Sequence, residues 1–311
     1  MKKMIYAGTY TGKGSEGIYR FCCEDGKLSD AGLFCRIDNP KYLCAYEEDI
    51  AAVCDFEKGS GITLISKDGE IKDRLIFEDV TSCYIAQHEE KLYTANYHAG
   101  TFSVIDVKDG HLELIKTVEI KKKAGCHQVL FWKDLILVPC LFLDKIMIYD
   151  GDLNYRNGIV FPEGSGPRHG VFSDDGNYLY LVSELSDELF VIRTGSFEIE
   201  ERIPLLENGE RSTEGTAAIR MSEDKKHLYT SIRGEDVICM LSLEEGRPKP
   251  IQTISCGGKH PRDFILIDDI LLCANRFTNQ VVSFRIGKDG RFEEVIGRID
   301  IPEAVSLLEK E

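Results

Sequence analysis

The sequence predicts an all-β chain folded as a seven-bladed β-propeller of four-stranded antiparallel blades. Three observations predict it. Apolar runs are short, rich in Val, Ile, Tyr and Phe, and punctuated by turn residues, which is the pattern of many short strands and not of helices. A strand ending in an X-Gly turn recurs seven times, as GIYRFCCEDG, GITLISKDG, TFSVIDVKDG, KIMIYDG, LFVIRTG, VICMLSLEEG and VVSFRIGKDG. The turn glycines, Gly26, Gly69, Gly110, Gly151, Gly195, Gly246 and Gly290, are separated by 43, 41, 41, 44, 51 and 44 residues, the spacing of four-stranded propeller blades. A β-sandwich with coincidental spacing does not explain one register held along the whole chain.

Each element of the repeat has a local reason. Glycine takes positive φ without steric cost, so Asp-Gly and similar pairs suit hairpin turns. The strand before each copy also recurs, as IYAGTY, AAVCDF, LYTANY, LILVPCL, LYLVSE, LYTSIR and LLCANR. The innermost strands start at NPKYLCA, TSCYIAQ, GCHQVLF, GPRHGVF, GTAAIRM and HPRDFIL. The first copy lacks an innermost strand. The tail IDIPEAVSLLEKE offers an apolar run, Ala304 to Leu308, that can supply it and close the ring without an open edge. The glycine-rich stretch GTYTGKGSEG precedes a strand, so it reads as an inter-strand loop and not as a phosphate loop. The expectation is a single propeller domain over residues 1–311.

Composition narrows the function. The formal net charge is -15, which argues against nucleic acid and anionic membrane as partners. No stretch approaches the roughly 20 apolar residues that span a bilayer. The opening MKKMIYAGTYTGKGS has almost no apolar stretch behind its lysines, so it reads as a strand and not as a signal peptide. The 11 cysteines are scattered with no C-x-x-C pair, which fits reduced, buried thiols in a cytoplasmic protein. No G-x-x-x-x-G-K-[ST] or H-E-x-x-H motif occurs, and the expectation is no metal and no organic cofactor.

The seven-fold register brings distant polar residues to one end of the central channel. His127, Arg168 with His169, and Arg262 stand at starts of innermost strands, and Asp55, Tyr97, Glu184, Arg233 and Arg276 at ends of second strands. Antiparallel neighbours return these ends to the same face. Such a set suits an anionic, oxygen-rich small molecule, because arginine supplies forked donors to carboxylate or phosphate. Side-chain alternation puts one of Arg168 and His169 toward the channel and the other into the blade.

The motifs YAGTYT with GIY, ANYHAGTFSV, GSGPRH followed by SEL, and HPRDF with ANR together resemble the seven-bladed lactonase family of the 6-phosphogluconolactonase type, over essentially the whole chain. That family is related to cycloisomerases acting on carboxymuconate. The resemblance implies hydrolysis of 6-phosphogluconolactone to 6-phosphogluconate, the second step of the oxidative pentose phosphate pathway. It carries the family's polar central residues onto His127, Arg168, Glu184 and Arg233, with Arg262 beside them. Arg276 stands where the family often has glutamine. The chain also departs from the family at Cys140-Leu141-Phe142 (Asp-Leu-Gly in the family), at Cys54-Asp55 (Asn-Glu), at Ser183 and Ile232 (both Asn) and at Ala218 (acidic), so its polar network is thinner.

The leading expectation is a lactone hydrolase acting on an anionic sugar lactone. Glu184 is the general base, with His127 sharing the proton work. Arg168 and Arg233 neutralise the oxyanion and the substrate's charge. Arg262 and Arg276 bind phosphate or carboxylate, with His169, Asp55 and Tyr97 as further substrate contacts. The alternatives are a cycloisomerase working on a carboxylated muconate or lactone, and a non-catalytic ligand-binding scaffold. The expected assembly is a monomer or weak homo-oligomer.

Overall fold

The computed structural model describes residues 1–244 and 246–310 and contains seven four-stranded antiparallel sheets. Six blades are consecutive in sequence. Their innermost strands are Leu43–Tyr46, Tyr84–His88, Leu130–Trp132, Pro167–Phe172, Gly215–Met221 and Pro261–Ile267. Blade one is composite: Lys2–Thr9, Gly17–Glu24 and Lys27–Arg36 are completed by Ala304–Glu309, which pairs antiparallel with Lys2–Thr9. The tail thus closes the ring as the sequence predicts.

Burial follows position within a blade. The second strand of blade two, Asp49–Asp55, is buried along nearly its full length because sheets cover both its faces. The outermost strand Ile71–Glu78 alternates between exposed and half-buried residues, since one of its faces meets water. The apolar core lies between neighbouring blades. At the closure Ile5 and Phe21 of blade one pack against Leu272, Ala274 and Val281 of blade seven, with Ile301 and Leu307 of the tail. Each large side chain so buried contributes about 1.5–3 kcal/mol.

Asp25-Gly26 and Asp109-Gly110 form two-residue hairpin turns, with positive φ at both residues and flanking pairs Glu24–Lys27 and Lys108–His111. The pattern differs at Gly151 and Gly195. There the left-handed conformation falls on Leu153 (φ 63°) and Phe197 (φ 58°), in longer turns.

Candidate active site

Both chain ends of the hairpin in blade five meet at the channel mouth. Glu184 follows the second strand Tyr178–Ser183, and its amide donates to the Gly166 carbonyl at 2.7 Å, just ahead of Arg168. Strand pairing then breaks alternation. Pro167 pairs with Ser183 and His169 with Val182, so Arg168 is the extra residue of a β-bulge. Arg168 and His169 therefore both reach the channel, contrary to the expectation that one enters the blade. The same bulge lies between Pro261 and Asp263, and it lifts Arg262 to the mouth above Asp263.

Glu184 is the centre of the constellation. Arg168 Nε donates to its Oε2 at 2.7 Å, and Arg233 Nη2 lies 3.1 Å from the same oxygen as an ion pair off the line of a hydrogen bond. His127 Nε2 is 4.0 Å from Oε2. The nearest approach of each of these groups is to Oε2, and Oε1 accepts no hydrogen bond among the described residues. Arg168 is 2% exposed and also donates to the Ala217 carbonyl of blade six, while Arg233 Nε donates to the Gly215 carbonyl at 3.0 Å. Gly215, at φ 78°, is required here, because a Cβ would lie 2.0 Å from the Glu184 carbonyl oxygen.

Electrostatics set the charge states. Burial pushes the Glu184 carboxyl up, but Arg233, Arg168 and Arg262 outweigh it and hold it below the usual carboxylate range. Burial, helped by Arg168 and Arg262, keeps the His127 imidazole neutral. Burial pushes the Tyr97 phenol up to about 12 and the Cys83 thiol up to about 11, so both are protonated at neutral pH.

These residues surround a cavity of about 230 Å³ lined by Glu184, Arg233, Arg262, His127 and Tyr97, together with Tyr10, Lys41, Thr81, Cys83 and His98. The Arg262 side chain makes no hydrogen bond among the described residues, and its guanidinium sits 5.5 Å over the Tyr10 ring. Three cations (Lys41, Arg233 and Arg262) thus line the cavity with one carboxylate, and Arg168 holds that carboxylate without lining the cavity, in a protein whose net charge is -15.

Three expected substrate contacts do not line this cavity. His169 contacts His127 through its Nε2 and packs against the paired rings of Tyr42 and Tyr84. Asp55 accepts from Asn39 (2.7 Å), Ser60 (2.6 Å) and Thr81, so its oxygens are spent on the blade-two loops. Arg276 Nε is bound to Glu303 at 2.8 Å, and its guanidinium stacks on Tyr10 at 4.3 Å, behind Arg262. Of the residues that sequence reasoning missed, Lys41 and Cys83 carried a usable signal. In PKY and SCY they stand at the innermost-strand position of His127, Arg168 and Arg262. Tyr10, Thr81 and His98 come from loops outside the strand register. Among the described residues, no group of three or more His, Cys, Asp or Glu is arranged to hold a metal ion.

The departures from the family pattern have structural uses. Ser183 Oγ bonds Ser186 Oγ at 2.6 Å and caps the turn to Glu188, while Ile232 and Ala218 enter apolar cores. Cys140 packs against Cys126, their sulfurs 3.8 Å apart.

Comparison with known proteins places this geometry. Residues 4–308 match the family model described as lactonase, 7-bladed beta-propeller. The chain is 26% identical over 344 residues to the 6-phosphogluconolactonase of Bacillus subtilis (strain 168), covering 99% of this chain and 98% of that protein. The crystal structure of a protein from Lactobacillus plantarum superposes with a TM-score of 0.94 at 28% identity, covering 100% of both chains. The Pseudomonas aeruginosa periplasmic gluconolactonase PpgL shares the fold at a TM-score of 0.88 and 20% identity, covering 99% of each chain. The chain belongs to the lactonase family of seven-bladed β-propellers.

Proposed function

We propose that the central cavity hydrolyses an anionic sugar lactone, with 6-phosphogluconolactone opened to 6-phosphogluconate as the reaction. The observation that carries this reading is the asymmetric use of Glu184: two arginines approach closest to Oε2, and Oε1 accepts no hydrogen bond among the described residues. A water held at Oε1 loses a proton to the carboxylate as it attacks the lactone carbonyl. The tetrahedral oxyanion is stabilised by Arg233. The ring C–O bond then breaks, and the proton held by Glu184 passes to the departing ring oxygen. The products are the free hydroxyl and a carboxylic acid, which releases its remaining proton to solvent and leaves as the carboxylate with Glu184 again ionised.

The charge balance supports an anionic substrate. Lys41 and Arg262 lie beside the catalytic group without a carboxylate bound to either, which leaves them for a phosphate. An arriving anion also shares the guanidiniums that depress Glu184, so binding raises the basicity of that carboxylate when it is needed. A lactone is an activated ester, and a base with an oxyanion donor is enough to open it. The cysteine is not the nucleophile in this reading, because Cys83 is a buried thiol and not a thiolate.

The test is turnover of freshly generated 6-phosphogluconolactone by purified protein, corrected for spontaneous hydrolysis, alongside unphosphorylated gluconolactone and a carboxylated muconate. Preference for the phosphorylated lactone supports the reading. Turnover of the muconate alone moves the assignment to cycloisomerisation.

A further inference from the structure

We infer that His169 is a positioning residue that holds His127 in its Nε2–H tautomer, so that His127 serves as a neutral hydrogen-bond donor into the cavity. His127 Nδ1 and His169 Nε2 are 3.1 Å apart, and both residues are buried. Burial and the charge of Arg168 keep both rings neutral. Each ring then has one N–H, and the contact between them needs one donor and one acceptor.

Two arrangements satisfy that contact. In the first, His127 donates from Nδ1, leaving a lone pair on its Nε2 and placing the His169 proton on Nδ1. In the second, His169 donates from Nε2, and the His127 proton sits on Nε2. Two observations select the second. His127 Nε2 faces the Glu184 Oε2 oxygen at 4.0 Å, where a hydrogen is favoured over a lone pair. His169 Nδ1 is buried with no partner, and in the first arrangement it would be a stranded N–H. The Arg168 and Arg220 charges near His169 also favour a bare lone pair there. The Tyr42 and Tyr84 rings pack against the His169 ring at centroid distances of 6.4 and 5.8 Å.

The consequence rests on the lactonase reading. His127 does not share the proton transfer with Glu184. It donates a hydrogen bond to the lactone carbonyl oxygen as charge develops there, and its proton stays on Nε2, since a neutral imidazole is a donor and not a practical acid. Glu184 alone carries the proton from water to the ring oxygen.

The tautomer is read directly by ¹⁵N–¹H correlation spectroscopy of histidine-labelled protein, which needs no substrate. The expected result is His127 with Nε2 protonated and Nδ1 unprotonated, and no titration of either ring between pH 5 and 8. A His127 proton on Nδ1, or titration in that range, overturns the inference while leaving the lactonase assay untouched. His169→Phe and His169→Gln extend the test. The Phe variant is expected to lose the single tautomer and about 10–100-fold in kcat with little change in KM. The Gln variant, whose amide still donates, is expected to recover most of both. Equal rates in wild type and a folded Phe variant that keeps the His127 tautomer overturn the positioning role.

Discussion

Glu184→Gln removes the one carboxylate that lines the cavity among the described residues while keeping nearly the same shape. Arg168 and Arg233, 2% and 6% exposed, then face each other without a counter-charge. Removing one partner of a buried ion pair costs about 3–5 kcal/mol. Gln keeps an oxygen for Arg168 Nε, which puts the expected loss near the lower figure, about 3 kcal/mol. For a chain of 311 residues that corresponds to a fall in melting temperature of about 5 °C. An anion in the cavity replaces the missing charge, and at a hundredfold over its Kd it restores about 2.7 kcal/mol. Inorganic phosphate is therefore expected to stabilise the variant more than the wild type. The rate falls by about 10²–10⁴ through loss of the base. Differential scanning fluorimetry with and without phosphate, beside lactone hydrolysis corrected for the spontaneous rate, reads both effects. A variant within threefold of the wild-type rate refutes the base assignment, and equal phosphate stabilisation of the two proteins refutes the charge argument.

Other expectations follow from the same geometry. Lys41→Met and Arg262→Met raise KM for a phosphorylated lactone at least tenfold, on the order of one lost charge-assisted contact, and leave an uncharged lactone unaffected. Steady-state kinetics on the two substrates checks the split, and equal losses on both contradict it. The acid limb of kcat/KM lies below the ordinary glutamate range, because activity needs ionised Glu184 and its arginines depress that pKa in the free protein. The sign is the same for stability: the contribution of Glu184 is present above its unfolded pKa and is lost as pH falls through the lower folded value. An acid limb above the ordinary glutamate range in the pH–rate profile contradicts this. Asp55→Asn disturbs the acceptor for Asn39, Ser60 and Thr81 and costs about 1–3 kcal/mol in urea unfolding, with kcat unchanged.

The fold was readable because its periodic signal is redundant. Seven hairpin turns repeat at nearly one interval, and a propeller needs little more than that interval and short apolar strands. The two turns at Gly151 and Gly195, where Leu153 and Phe197 take the left-handed conformation, did not disturb the count. The candidate site was readable only where a converging polar side chain sits at a repeated register position, as His127, Arg168, Arg262, Glu184 and Arg233 do. The bulges at Arg168 and Arg262 escaped the alternation rule, although Pro167 and Pro261 ahead of them are residues that strands tolerate at irregular places. Asp55 and Arg276 stand at the same kind of strand end as Glu184. The hydrogen bond from Thr81 to Asp55 and the ion pair of Glu303 with Arg276, across 26 and 27 residues, depend on loops that carry no period. Tyr10 and His98 reach the cavity from loops for the same reason.

The most direct measurement is the disappearance of fresh 6-phosphogluconolactone, followed by phosphorus NMR with and without purified protein. The account predicts loss of lactone far faster than the spontaneous rate, with 6-phosphogluconate as the sole product. Decay at the spontaneous rate, from protein shown to be folded, contradicts it.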